Sequence, residues 1–76
     1  MSTKQIKASK VDVLEFIMRR GVVQVYELQD KFHHSYWGAK NRLRRLKKEG
    51  LVINMTRGFW ELTEEGYRRL RYYGKG

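Results

Sequence analysis

Residues Ser35 to Val52 read SYWGAKNRLRRLKKEGLV, and this stretch decides the fold. Ser35 carries a hydroxyl that can accept from the free N–H groups of a helix start, and Gly50 is the residue type that ends helices. Between them Ala39, Leu43 and Leu46 recur at helical spacing, with Tyr36 at the edge of their side. The opposite side carries Trp37, Asn41, Arg44, Arg45 and Lys48, with Lys40 at its margin. At 3.6 residues per turn these are two faces of one helix over 35–49, apolar behind and polar-cationic in front. After Gly50 the period changes. Leu51-Val52-Ile53 and Phe59-Trp60-Glu61-Leu62 are β-rich runs joined by Asn54 to Gly58, which reads as a β-hairpin. Phe59 and Trp60 alternate across the second strand, so one faces the core and the other the surface.

Working back from Ser35, His33-His34 breaks the pattern, and Val25 to Phe32 forms a shorter helix. Glu27 stands in its first turn, and Leu28 and Phe32 make an i,i+4 pair. Val22-Val23 is too short for a strand of its own and reads as an edge segment. Ser9 with Asp12 resembles a capping box, and Val13, Leu14, Ile17 and Met18 carry a first helix over about 10–20 that stops at Gly21. Forward of the hairpin, Thr63 caps a last helix with Glu64 and Glu65 at its N-terminal dipole. Tyr67, Leu70 and either Tyr72 or Tyr73 form its expected apolar stripe. The expected class is mainly α with a small β-hairpin, in the order α-(β)-α-α-β-β-α. A basic arm (1–8) precedes the domain (9–73), and a frayed tail (74–76) follows.

Charge is distributed as unevenly as the apolar residues. The chain of 76 residues carries +9, and the segments 1–10, 35–48 and 68–76, at +3, +6 and +4, contain no acid. Six of the cations fall within residues 40–48, where they repel one another on an isolated helix. Segregation of this kind points to a polyanionic partner. An anionic membrane is the competing partner, but it requires an amphipathic helix with a free apolar face. No run is long enough to span a bilayer, and the N-terminus has no apolar leader-like stretch. A cytoplasmic, nucleoid-associated protein is expected. There is no cysteine, so no disulfide or thiolate site supports the small core.

Three pieces of the sequence resemble a known family. LRRLKKEGLV (Leu43 to Val52) is similar to the end of a recognition helix entering a wing. LTEEG (Leu62 to Gly66) is similar to the end of the wing entering the last helix, and VYELQDKF (Val25 to Phe32) to the helix before the recognition helix. Together they resemble the winged helix-turn-helix transcription regulators of bacteria and archaea over about residues 10–70. The stretch departs from that pattern at Trp37-Gly38, where small polar residues are commoner, and in a wing with one cation, Arg57. The resemblance implies sequence-selective binding of double-stranded DNA, with helix 35–49 in the major groove and wing 54–58 on the adjacent backbone or minor groove.

Residue types assign the roles. Asn41 can pair bidentately with adenine and Arg44 with guanine, whereas Arg45, Lys40 and Lys48 suit phosphates. Ser35 would set the helix N-terminus against a phosphate. Trp37 would lie against sugar or a thymine methyl, stack on an unpaired base, or cover the core edge. Arg57 would reach backbone or minor groove, and Lys4, Lys7 and Lys10 would track phosphates as an arm. Tyr67, Leu70, Tyr72 and Tyr73 offer a surface for a homodimer, or pack within one copy. The histidine pair lacks the third ligand zinc wants and reads as a turn. No nucleophile–base set, phosphate loop, cofactor motif or ligand pocket is legible, and no enzyme is expected. The other open reading is a winged-helix adaptor for structured RNA or another protein.

Overall fold

The computed structural model describes residues 9–74, apart from the side chain of Arg57. The arm, with Lys4 and Lys7, and the last two tail residues lie outside the described residues. Helix α1, Lys10–Arg20, starts where Ser9 Oγ accepts from the Asp12 N–H (3.1 Å) and Asp12 Oδ2 accepts in return from the Ser9 N–H (3.3 Å). It stops at Gly21, whose φ of 88° an L-residue resists and whose N–H donates to the Ile17 carbonyl (2.8 Å). Val22 and Val23 form a true strand, β1. Helix α2 spans Val25–Phe32, and Glu27 near its start accepts from the Gln24 N–H (3.1 Å) and pairs with Arg20 at the end of α1 (2.8 Å). His33 turns the chain in the left-handed region (φ 57°), and α3 follows over Tyr36–Lys48.

The end of α3 is a Schellman motif. The Gly50 N–H donates to the Lys47 carbonyl and the Leu51 N–H to the Leu46 carbonyl, both at 2.9 Å, which brings two buried leucines together. Strands β2 (Val52–Asn54) and β3 (Trp60–Leu62) make the wing, joined by a 3₁₀ turn over Thr56–Gly58, and α4 runs over Glu64–Tyr72. All pairings are antiparallel, and β3 lies between β1 and β2. Val23 faces Trp60, while Val52 and Asn54 face Leu62 and Trp60. This is the winged helix-turn-helix order expected from the sequence, with the edge segment promoted to a paired strand by a partner far along the chain.

The core is drawn from every element. Val13, Leu14 and Ile17 of α1 meet Leu28 and Phe32 of α2, Ala39, Leu43 and Leu46 of α3, and Val23, Leu51, Val52, Trp60, Leu62 and Leu70. Of the adjacent aromatics, Trp60 is the core residue and Phe59 the surface one.

The tyrosines depart from expectation. Tyr36 is exposed rather than seated at the edge of the buried face. Tyr67, Tyr72 and Tyr73 are also exposed, so they do not form the inward stripe of α4. That face is made by Gly66 and Leu70. The reason is a backbone contact: a Cβ on Gly66 would lie 2.2 Å from the carbonyl oxygen of Leu51. The helix therefore approaches the chain at Leu51 by its glycine, and only Leu70 adds apolar bulk to the buried face. Leu70 is 0% exposed within its own chain, which removes it from any contact between copies. Lys10 is likewise not part of an arm, because the capping box commits it to α1 and its Nζ pairs with Glu49 (2.7 Å).

Two outcomes follow from these contacts. Gly66→Ala is expected to destabilise the fold by about 3 kcal/mol, read by urea unfolding. Gly38→Ala, where the new methyl would meet the Ser35 Oγ at 3.1 Å and His34 Cβ at 3.8 Å, changes stability by less than about 1 kcal/mol. His34 supplies the second. Burial first, then Arg42 and His33, lowers its pKa from the ordinary 6.5. The folded state therefore binds fewer protons than the unfolded chain between the lowered value and 6.5, and stability rises with pH across that window. The contribution is complete above 6.5 and is lost as pH falls toward the folded value. In thermal melts over pH 5–7.5, His34→Gln should flatten this acid limb.

Candidate nucleic-acid interface

Helix α3 acquires its two faces from one constraint, the inward packing of Ala39, Leu43 and Leu46. With those three buried, Trp37, Asn41, Arg44, Arg45 and Lys48 stand in solvent and Lys40 is half-buried. Ser35 Oγ accepts from the Gly38 N–H (3.0 Å), so the expected cap is in place at the start of this face. It also accounts for the glycine within the helix, since the bare Cα leaves room for that hydroxyl.

Beside the helix stands the wing, and between them runs an open groove of about 750 Å³. Its walls are Lys40, Asn41, Arg44, Arg45, Lys47 and Lys48 from α3, with Asn54 and Trp60 from the sheet. Five of these eight side chains are cationic and none is acidic. Among the described residues none of the five pairs with a carboxylate; the ion pairs lie at Lys10–Glu49, Arg19–Glu15, Arg20–Glu27, Arg68–Glu65 and Arg69–Glu49. The result is a concave, positively charged surface with an amide on each wall. Such a surface holds an extended polyanion, and its amides can both donate and accept.

The structure thus brings together Lys40, Asn41, Arg44, Arg45 and Lys48. It leaves Ser35 and Trp37 outside the groove walls, at the N-terminal end of the same helix. Arg57 sits on the 3₁₀ turn at the wing tip, and its side chain lies outside the described residues. Three wall residues were missed. Lys47 follows Lys40 by seven positions and Arg44 by three, a helical spacing that a wheel reveals. Asn54 and Trp60 required the strand register, which sets them opposite each other. Asn54 Nδ2 donates to the Phe59 carbonyl (3.1 Å), which orients its amide within the wing.

The adjacent histidines diverge: His33 is exposed, while His34 packs 6.2 Å from the Phe32 ring. No group of three or more potential ligating side chains gathers around a metal-sized site among the described residues. None of their helices is long and apolar enough to cross a membrane.

A recognition-type helix beside a two-stranded wing, on a three-helix body with a third strand closing the sheet, defines a winged-helix protein. Among solved structures, the chain is similar to the PhiH1 repressor-like protein from Haloarcula marismortui, with 25% identity and a TM-score of 0.74. The likeness covers 92% of this chain and 88% of that one. No family model matches the chain, and no curated protein matches it.

The groove's charge has a cost in the free protein. Replacing Arg44 and Arg45 together by Gln removes repulsion that no carboxylate relieves, and should raise stability at low salt by about 0.5 kcal/mol. Differential scanning calorimetry should show the gain shrinking in molar salt, where screening acts within about 3 Å.

Proposed function

We propose that this chain is a DNA-binding transcription regulator that lays α3 in the major groove of duplex DNA. The observation that carries this reading is the carboxylate-free groove beside the wing, into which the outer face of α3 presents five cations. The likeness to a repressor-like protein supports it. Groove width admits a single helix, and the stripe of side chains on α3 then reaches both base edges and flanking phosphates. Asn41 reads adenine and Arg44 guanine. Arg45, Lys40, Lys47 and Lys48 hold phosphates and set the register, and Ser35 presents the helix N-terminus to another. Arg57 at the wing tip meets backbone or minor groove, and Lys4 and Lys7 track phosphates as an arm. Tyr67, Tyr72 and Tyr73 are the surface through which two copies would pair, with two α3 helices placed on half-sites about 34 Å apart.

Fluorescence anisotropy of labelled duplex, titrated across salt concentrations, tests the reading. Log K is expected to fall linearly with log salt, with a slope of about −3.6 from the four lining cations that hold phosphates. Arg44→Ala should cost about 1–3 kcal/mol, and Asn41→Ala should weaken binding on some sequences only. Absence of duplex binding at low salt would overturn the reading. So would equal binding to an RNA hairpin and duplex with neither substitution having an effect. Either result would turn attention to an adaptor role on RNA or protein.

A further inference from the structure

Trp37 is 64% exposed, an unusual place for the largest apolar side chain on a helix whose other outward residues are polar. It is not loose on the surface. Its ring meets Tyr36 edge-on, with centroids 5.4 Å apart and planes at 78°. Tyr36 is in turn held by Lys40, whose Nζ lies 5.7 Å from the ring centroid and donates to the phenol oxygen (3.4 Å). Lysine, phenol and indole thus form a short ladder along the first turns of α3. Trp37 also falls in line with the groove: Asn41, Arg44 and Lys48 follow it at four, seven and eleven positions, the spacing of one helical stripe. Next to it, Gly38 is exposed and adds no side chain beside the indole.

We infer that Trp37 is the residue through which α3 selects thymine, by covering its 5-methyl group in the major groove. The inference rests on the duplex-binding reading above and deepens it. An indole face gains from apolar area, and among the base edges of the major groove the 5-methyl of thymine is the apolar feature. Tyr36 fixes the tilt of the indole, so that the methyl contact is made at a set height relative to Asn41 one turn away. An adenine read by Asn41 would thus adjoin a thymine read by Trp37.

The test uses 30-base-pair duplexes selected from a random pool by the native chain and copied with either thymidine or deoxyuridine triphosphate. The two products share their sequence and pairing and differ in the methyl. The native chain should bind the thymine form more tightly, by about fourfold for each methyl covered. Trp37→Ala should lose affinity on the thymine form and bind both forms equally, with an unchanged Tm because the side chain lies outside the core. Trp37→Phe should keep part of the discrimination. Equal binding of both forms by the native chain would overturn the inference while leaving duplex binding intact. An unchanged preference in Trp37→Ala, or a preference for single strands indifferent to the methyl, would overturn it too. Failure to bind duplex at all would overturn the wider reading with it, and is visible separately in the first titration.

Discussion

The carbonyl group of Leu51 is the point at which the two halves of this molecule are joined. Its oxygen accepts from the Thr63 N–H (3.0 Å) and lies directly beneath the bare Cα of Gly66. One residue earlier, the Gly50 carbonyl accepts from Thr63 Oγ1 (2.6 Å), and the Thr63 Oγ1 itself accepts from the Gly66 N–H (3.0 Å). The exit of α3 and the entry of α4 are thus one seam, and the hairpin between them is pinned at both feet. The groove opens between the wing so anchored and the outer face of α3.

The distribution of charge obeys the same division of labour. Carboxylates are placed where they support the scaffold. Asp12 caps α1, and Glu27 joins α1 to α2. Glu49 at the end of α3 is approached by Lys10 and Arg69 from two other helices. None of them lines the groove, whose cations are left without acids. Such a surface is unfavourable in the free protein and becomes favourable only when an external anion releases counterions. Most helix ends of the small scaffold are closed by side chains or glycine, α2 ending instead at His33 in the left-handed region.

Those closures explain why the fold was so legible in the sequence. Ser9 with Asp12, Ser35 and Thr63 start helices by local hydrogen bonds, and Gly21 and Gly50 stop two of them by φ. Both kinds of signal lie within a few residues, so the helix bounds could be read almost to the residue. The outward stripe of α3 was legible for the same reason. What escaped depended on distant partners. Val22-Val23 becomes a strand only because β3 supplies its ladder, and Asn54 and Trp60 enter the groove only through strand register. The tyrosines of α4 were misread because apolar bulk was taken to mark the buried face. There the buried face is Gly66 with Leu70, and the glycine leaves no hydrophobic signal to count.

The central position of β3 has a consequence for how the chain comes into being. During synthesis on the ribosome the segments emerge in order, and β1 waits unpaired until nearly everything else has been made. Helices α1, α2 and α3 precede the strand that closes the sheet over Val23 and the helix that seals Leu51. The nascent chain therefore displays its most basic helix before it possesses the frame that aims it. Non-local pairing of this kind is completed late. The most basic helix thus exists, for a time, without the strand and the last helix that fix its setting.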